Sequence, residues 1–184
     1  KQYYEKLMAL RNNGIIKEKK KFKFKNLGPW YYEQHSLGYN FRMNDIQAAL
    51  GISQINRLQE FIERRTIIAE RYNFDLKGLP IKLPRIHSDN LSAYHLYIIR
   101  LQINKIKSEK KTVFEALKRN GLDVNLHYIP IYRQPYYKKY NFNALNFPES
   151  EKYYSEAISI PIFPSMTNRQ QKKVVDVLSK VLNE

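Results

Sequence analysis

Apolar residues at helical spacing dominate the first part of the chain. In residues 2–11, Tyr3, Leu7 and Leu10 fall on one stripe, which predicts an amphipathic helix ending at Asn13-Gly14. A basic stretch and an aromatic, glycine-punctuated stretch follow, and their lack of a regular period predicts loops.

The longest predicted helix runs from Asn44 to about Asp75. Asn44 can cap this helix, and Asp45 suits its first turn beside the positive end of the helix dipole. Gly51 interrupts the pattern, which predicts close packing against another backbone there. Gly78-Leu79-Pro80 ends the helix. The apolar residues at helical spacing are Ile46, Leu50, Leu58, Phe61, Ile62, Ile68 and Tyr72.

Beyond residue 80 the pattern alternates between strand-like and helix-like stretches, which is typical of an α/β domain. The predicted elements are a strand over 92–103, a helix over 108–119, a strand over 123–131, a helix over 150–157, a strand over 159–163 and a final helix from Thr167. The first strand is apolar on both faces at its start, which predicts a central position and a buried His95. Ser108 is the expected cap of the 108–119 helix.

Two segments of this region carry clear local signals. Val124, Leu126 and Tyr128 alternate with polar residues in the 123–131 strand, and Pro130 ends its pairing or places it at an edge. Thr167-x-x-Gln170 is a capping box that opens the last helix. The residues expected to face inward on that helix are Val174, Leu178, Val181 and Leu182.

These elements predict three segments: residues 1–50 as the tail of one domain, residues 44–78 as a linking helix, and residues 79–184 as a small C-terminal α/β domain. The first residue is Lys1, and a helix-like stretch begins at once without a cap. We therefore expect the chain to be a fragment of a longer protein.

Composition excludes several classes of protein. The 184 residues contain no cysteine, which excludes a disulfide scaffold, thiolate metal sites and a cysteine nucleophile. No apolar run reaches the roughly 18 residues of a membrane helix. The net charge of +15 includes a tract at residues 17–25 with six lysines and one glutamate. A non-catalytic basic fragment that binds nucleic acid or an acidic partner is therefore one alternative, and a solvated basic surface is the other.

Generic catalytic motifs are absent from the sequence: there is no zinc spacing, phosphate loop, dinucleotide fingerprint or nucleophile elbow. Two segments remain unusual. GYNFRMND places Tyr39, Asn40 and Arg42 before a helix N-terminus, where they could hold a phosphate or carboxylate, or only cap the helix. NLHYIPIYRQPYY, residues 125–137, could contact a sugar or base, or form a satellite of the core.

The same segments resemble the sugar-nucleotide aminotransferases of the DegT/StrS type. The matching pieces occur in the expected order: ALRNNGI at 9–15, PWYYEQHSLGYNFRMNDIQAALGISQINRLQEFIERR at 29–65, AYHLYIIRL, LHYIPI and ISIPIFPSMT. WYYE and HYIPI are most similar to the UDP-4-amino-4,6-dideoxy-N-acetyl-altrosamine transaminases of pseudaminic acid synthesis.

The resemblance implies an α/β protein of the fold-type-I class: a cytoplasmic homodimer that uses pyridoxal 5′-phosphate. Such an enzyme takes nitrogen from glutamate and delivers it to a 4-keto sugar nucleotide for surface-glycan or nonulosonic acid biosynthesis. Asn40 matches the family asparagine that reaches the neighbouring subunit's cofactor phosphate, and Arg42 is expected to order that loop or bind an anion. The implied substrate contacts are Asn125, His127, Tyr128, Ile129 and Pro130.

The chain also departs from the family pattern. None of its 21 lysines stands in the motif of the family's Schiff-base lysine, which we expect upstream of Lys1. We therefore expect no catalytic residue in this chain and no transamination by the chain alone. A dehydratase branch, in which histidine replaces that lysine, stays open.

Overall fold

The computed structural model describes residues 1–24 and 28–183 and divides the chain into two compact units. Unit 1 comprises Lys1–Asn56, and unit 2 comprises Arg57–Glu184. No helix within the described residues is long and apolar enough to cross a membrane.

Unit 1 contains two helices and a short antiparallel strand pair. Its elements are α1 (Gln2–Leu10), β1 (Ile15–Ile16), a 3-10 turn (Lys19–Lys21), β2 (Glu33–Gln34) and α2 (Asp45–Asn56). The strands pair Ile15 with Gln34 and Ile16 with Glu33. The predicted first helix is confirmed, although Tyr3 is 83% exposed and packs into no core.

The predicted single helix over 44–75 is wrong in one respect, because the structure has two helices. The helix α2 ends at Asn56, and α3 (Leu58–Asp75) begins after Arg57. Arg57 adopts φ −103° and ψ 0°, outside the helical range, so the regular hydrogen-bond ladder is interrupted at this residue. Gly51 faces open space: no heavy atom of the described residues lies within 4 Å of an added Cβ, so the expected close packing is not seen among them.

Unit 2 is a three-stranded antiparallel sheet with helices. Its strands are β3 (Ile81–Lys82), β4 (Tyr97–Leu101) and β5 (Ala157–Ile160), in the order β3-β4-β5. Its other helices are α4 (Lys110–Arg119), α5 (Pro148–Glu156) and α6 (Asn168–Asn183). The predicted central position of the first strand is confirmed, since β4 pairs on both sides.

The hydrophobic core of unit 2 joins the sheet to α3, α4 and α6. Its largest fully buried apolar side chains are Tyr72, Tyr97, Ile68, Leu76, Ile99, Leu101, Leu117, Ile158 and Leu178. The four residues predicted to face inward on α6 are all buried. The helix α3 therefore belongs to the core of unit 2 through Ile68, Ala69 and Tyr72.

Capping at the helix starts was predicted correctly at α6 and incorrectly at α4. Thr167 Oγ1 accepts a hydrogen bond from the Gln170 N–H (3.2 Å), and Gln170 Oε1 accepts one from the Thr167 N–H (2.8 Å). The N-cap of α4 lies one residue later than expected. Glu109, not Ser108, holds its N-cap position, and it makes no side-chain cap bond.

The predicted strand over 123–131 is wrong. Only Asn125 pairs with the sheet, in an isolated antiparallel bridge to Ser159. The Asn125 side chain accepts a hydrogen bond from the Leu126 N–H (2.8 Å), which competes with a strand ladder, and Pro130 has no N–H to donate. The expectation that His95 is buried is also wrong: His95 precedes β4 and is exposed.

Candidate functional site

In unit 1, the segment Gly38–Phe41 lies alongside the end of α1. Three backbone hydrogen bonds anchor it: the Tyr39 N–H donates to Leu10 O (2.6 Å), the Asn13 N–H donates to Tyr39 O (2.8 Å), and the Phe41 N–H donates to Arg11 O (2.9 Å). The backbones of Asn12 and Asn40 form an isolated antiparallel bridge. Asn40 therefore stands on a segment whose backbone is fixed on both sides of it.

The Asn40 side chain is available to a ligand. Tyr39 and Phe41 stack on each other, with ring centroids 4.7 Å apart and planes 4° apart. Because successive side chains of an extended segment point to opposite faces, Asn40 lies on the face away from this stack. Asn40 is exposed, and within residues 1–24 and 28–183 its amide group makes no hydrogen bond. Its two N–H donors are free to bind an anion.

Arg42 adds a side-chain contact between the same segment and the residues that follow α1. Its Nη1 donates a hydrogen bond to Asn12 Oδ1 (2.7 Å), and its backbone N–H donates to Asn40 O (3.1 Å). The guanidinium keeps further N–H donors beyond the one used by Asn12. This contact with Asn12 is of the ordering kind, one of the two roles expected for Arg42, and anion binding by the remaining donors stays a prediction.

The N-terminus of α2 offers less to an anion than the sequence suggested. Asn44 and Gln47 form a reciprocal capping box: Asn44 Oδ1 accepts from the Gln47 N–H (2.9 Å), and Gln47 Oε1 accepts from the Asn44 N–H (3.1 Å). Asp45 adds a negative charge in the first turn. The predicted anion site therefore reduces to the Asn40 amide and the Arg42 guanidinium.

Glu33 is a buried carboxylate that sequence reasoning missed. Its two oxygens accept hydrogen bonds from the Lys23 N–H (2.7 Å), the Phe24 N–H (2.8 Å) and the Tyr31 hydroxyl (3.0 Å), and His35 Nε2 lies 2.6 Å away. Burial raises the pKa of Glu33, but these partners, led by His35, outweigh it and lower the pKa to about 2. Glu33 thus ties the basic loop to β2.

A usable signal for Glu33 was present in the sequence. Tyr31 and His35 stand two residues before and after it, so in an extended segment all three side chains share one face. A carboxylate that shares one face with a phenol and an imidazole can accept hydrogen bonds from both.

The basic tract makes some contacts within the chain, but its described lysines and Phe24 are exposed, so the alternative of a nucleic-acid platform stays a prediction. Lys21 pairs with Glu18 (3.0 Å) and Glu5 (3.7 Å). The Phe22 ring packs edge-on against Tyr31, with centroids 5.1 Å apart, so it is already in use. Lys25, the last lysine of the tract, lies outside the described residues.

In unit 2, Ser159 on β5 holds the segment Asn125–Pro130. The Asn125 N–H donates to Ser159 O (3.1 Å), and the Ser159 N–H donates to Asn125 O (2.8 Å). The Ser159 hydroxyl, itself buried, lies 2.8 Å from His127 Nδ1. The Tyr153 hydroxyl donates to His127 O (2.9 Å), which fixes the backbone at the same residue.

The segment exposes its two central apolar residues. Tyr128 is 72% exposed and Ile129 is 46% exposed, whereas Pro130 is buried. The His127 ring packs edge-on against the Tyr128 ring, with centroids 4.7 Å apart. An exposed phenol beside an oriented imidazole can contact a sugar or a base and bind its hydroxyl groups.

A second ionic cluster lies just downstream of this segment. The Arg133 guanidinium binds the Glu151 carboxylate through Nε (2.9 Å) and Nη2, and the Tyr132 hydroxyl donates to the same carboxylate (2.8 Å). The hydrogen bonds from Arg133 and Tyr132 lower the pKa of Glu151 to about 2. Tyr132 also stacks on Phe147, so this cluster fixes the loop that follows Pro130.

The sequence of this chain matches a known protein family. The profile of the DegT/DnrJ/EryC1/StrS aminotransferase family matches residues 1–179. The chain belongs to this family. The resemblance read from the sequence is therefore confirmed.

The chain is similar to three proteins of known or assigned aminotransferase type. It is 30% identical, over 98% of its length and 45% of the relative's, to the UDP-4-amino-4,6-dideoxy-N-acetyl-beta-L-altrosamine transaminase of Campylobacter jejuni. Helicobacter pylori PseC, an aminotransferase of pseudoaminic acid biosynthesis, superposes with TM-score 0.83 and 26% identity, over 99% of this chain and 46% of that one. Spr1654 from Streptococcus pneumoniae, in its PLP form, superposes with TM-score 0.82 and 22% identity, over 99% and 44%.

The chain spans 42–47% of the length of the curated relatives it matches. The predicted fold class is confirmed by the solved aminotransferases, which cover nearly all of this chain. Within this chain, the predicted site residues fall into two groups. Asn40 and Arg42 lie together in unit 1, and Asn125, His127, Tyr128, Ile129 and Pro130 lie together in unit 2.

Proposed function

We propose that the chain is part of a cytoplasmic homodimeric enzyme that moves an amino group from glutamate to a 4-keto sugar nucleotide of the UDP-4-keto-6-deoxy-HexNAc type, for surface-glycan or nonulosonic acid biosynthesis. The observation that carries this proposal is the aminotransferase family match over residues 1–179. The C. jejuni and H. pylori relatives, both named for amino-sugar chemistry, support the substrate class.

The proposed cofactor is pyridoxal 5′-phosphate, which carries the amino group between donor and acceptor when bound. The chemistry of the donors in unit 1 fits its phosphate, because the Asn40 amide offers two unused N–H groups and Arg42 adds a nearby positive charge. In this proposal Asn40 binds the phosphate in the site of the neighbouring subunit. Arg42 orders the segment by binding Asn12.

The proposed substrate contacts are Asn125, His127, Tyr128, Ile129 and Pro130. Exposure favours Tyr128 and Ile129 as the side chains that touch the sugar nucleotide. The Ser159 hydroxyl orients the His127 ring, and Asn125 and Pro130 hold the backbone of the segment in place.

We further propose that the lysine that holds the cofactor belongs to the part of the whole protein outside this chain, so that the chain alone is inactive. The support is the sequence, in which no lysine stands in the family's lysine motif. A lysine is required both to bind the cofactor covalently and to move the proton during amino transfer.

Borohydride reduction of the native full-length protein, followed by peptide mass analysis, tests the proposal. We expect a reduced phosphopyridoxyl group on a lysine upstream of Lys1, and conversion of the bound cofactor to pyridoxamine 5′-phosphate when glutamate is added. A cofactor that binds without a lysine adduct would indicate the dehydratase branch. Absence of any bound cofactor would contradict the proposal.

A further inference from the structure

Two glycines in unit 1 allow the end of α1 and the segment Gly38–Phe41 to approach closely. A Cβ added to Gly38 would lie 2.2 Å from Gly14 N, 2.6 Å from Asn13 C and 2.8 Å from Leu10 O. A Cβ added to Gly14 would lie 1.9 Å from Ser36 O. Real Cβ contacts essentially never fall below 3.0 Å, and the atoms concerned are backbone, so they cannot move aside separately.

The two glycines serve different needs. Gly14 has φ +71° and follows Asn13 at φ +58°, so the turn after α1 uses two left-handed residues in succession. Gly38 has no such backbone requirement, because its φ is not positive. The observed reason for glycine at position 38 is therefore the space that the Asn13-Gly14 turn occupies.

The contact lies two residues before Asn40. Relieving a 2.2 Å contact to the 3.4 Å of ordinary packing requires the two backbones to separate by about 1 Å. Tyr39, the residue between Gly38 and Asn40, is bonded to Leu10 and Asn13 through its N–H and C=O. A separation of that size at Gly38 therefore strains these bonds and displaces Asn40. In a binding site, a shift of about 1 Å is enough to lose a directed hydrogen bond.

We propose that Gly14 and Gly38 are positioning residues that set the location of the Asn40 amide for the cofactor phosphate. This inference rests on the proposed function, in which Asn40 is the residue that touches the phosphate. The glycines act through Asn40 and touch no ligand themselves.

A double-mutant cycle in the full-length protein tests the inference, with Gly38→Ala, Asn40→Ala and the double variant. The probes are pyridoxamine 5′-phosphate and pyridoxamine, which lacks the phosphate. We expect Gly38→Ala to weaken pyridoxamine 5′-phosphate binding about 10- to 100-fold, the range for one hydrogen bond to a charged group, and to leave pyridoxamine binding unchanged. In the Asn40→Ala background the same substitution should have no further effect.

Gly78→Ala is the matched control. Gly78 has φ +87°, and no heavy atom lies within 4 Å of an added Cβ, so its substitution adds left-handed strain in unit 2 without a collision. We expect it to lower stability and leave phosphate affinity intact. Equal losses of affinity in Gly78→Ala and Gly38→Ala would overturn the inference, because the effect would then be general destabilisation.

The remaining outcomes separate the two proposals. Undiminished phosphate affinity in Gly38→Ala, or a full additional loss in the Asn40→Ala background, would overturn the role of the glycines alone. No effect of Asn40→Ala would overturn the proposed phosphate contact and the inference with it. Should Gly38→Ala not fold, hydrogen exchange of the unmodified protein decides: protected Tyr39 and Phe41 amides support the positioning contact, and freely exchanging amides contradict it.

Discussion

Different interactions stabilise unit 1 and unit 2 internally. Unit 2 buries a continuous apolar core between its sheet and the helices α3, α4 and α6. In unit 1 the described buried residues are Gly14 and Glu33, and neither is a large apolar side chain. Hydrogen bonds to the end of α1, the Glu33 carboxylate and the close glycine contact hold unit 1 instead.

The lack of an apolar core in the described part of unit 1 indicates that this unit needs other protein around it. Unit 1 exposes large apolar side chains on both of its helices and its loops, namely Tyr3, Leu7, Trp30, Leu37, Ile46, Leu50, Ile52 and Ile55. Large apolar side chains exposed in such number are typical of a surface that other protein covers. We propose that the rest of the whole protein and the neighbouring subunit cover it, which also places the free Asn40 amide at a subunit boundary.

The largest expected effect is the loss of stability when a buried leucine of unit 2 is truncated, compared with an exposed leucine of unit 1. Leu178→Ala should lower the free energy of unfolding by about 2–5 kcal/mol, because Leu178 is fully buried on α6. The matched substitution Leu37→Ala, at a residue that is 85% exposed, should cost under about 0.5 kcal/mol in this chain. Urea unfolding measures both. Similar costs would mean that unit 1 has a core that the structure does not contain.

Two glutamines, one buried in unit 2 and one exposed in unit 1, test the difference in burial for hydrogen bonds. Gln171 is buried, and its Nε2 donates to Ile68 O (2.8 Å), so Gln171→Ala removes a buried hydrogen bond and leaves a cavity, at a cost of about 1–3 kcal/mol. Gln34 donates to Asn13 O (2.8 Å) at the surface, where water can replace it. Gln34→Ala should therefore change the urea midpoint little, and an equal shift would argue against the difference in burial.

The two capping boxes provide a smaller test. Thr167→Ala should destabilise unit 2 by about 1 kcal/mol, because α6 is packed into the core. Asn44→Ala removes the equivalent cap from α2, which buries no residue in this chain. We expect the second variant to speed amide exchange in the first turns of α2 and leave the global unfolding midpoint unchanged. A shifted midpoint would mean that α2 is coupled to the core.

The smallest effect is a local dependence on pH. The folded-state pKa of Glu33 is about 2, below its ordinary value of 4.5, so the ionised carboxylate favours the folded loop. That contribution is complete above about pH 4.5 and is lost as the pH falls through about 2. The protection of the Lys23 and Phe24 amides against exchange, relative to the same amides in an unfolded peptide, should fall over this interval. Glu33→Gln should remove the pH dependence, and an unchanged profile in that variant would assign it to another group.

The elements that sequence reasoning predicted well share a strong local signal. The Thr167 capping box and the inward-facing residues of α6 combine a cap with a clear helical period, and both are confirmed. The family resemblance succeeded for a related reason, because several motif pieces occur in one order.

The features that could not be predicted depend on contacts distant in sequence. Alternation over 123–131 resembled a strand, yet only Asn125 finds a partner, and that partner is Ser159. The break between α2 and α3 at Arg57 could not be predicted, because no glycine or proline stands at or next to that residue. The glycine contact between positions 14 and 38 is visible only once α1 and the Asn40 segment are placed together.

Subunit complementation tests whether Asn40 serves the cofactor site of the neighbouring subunit. One variant carries Asn40→Ala, and the other replaces the cofactor lysine identified by borohydride reduction with alanine. Each homodimer should retain cofactor poorly after gel filtration. Mixed dimers should recover retention on the Asn40→Ala subunit, because its intact lysine then meets the partner's intact asparagine. No recovery in mixed dimers would contradict the account.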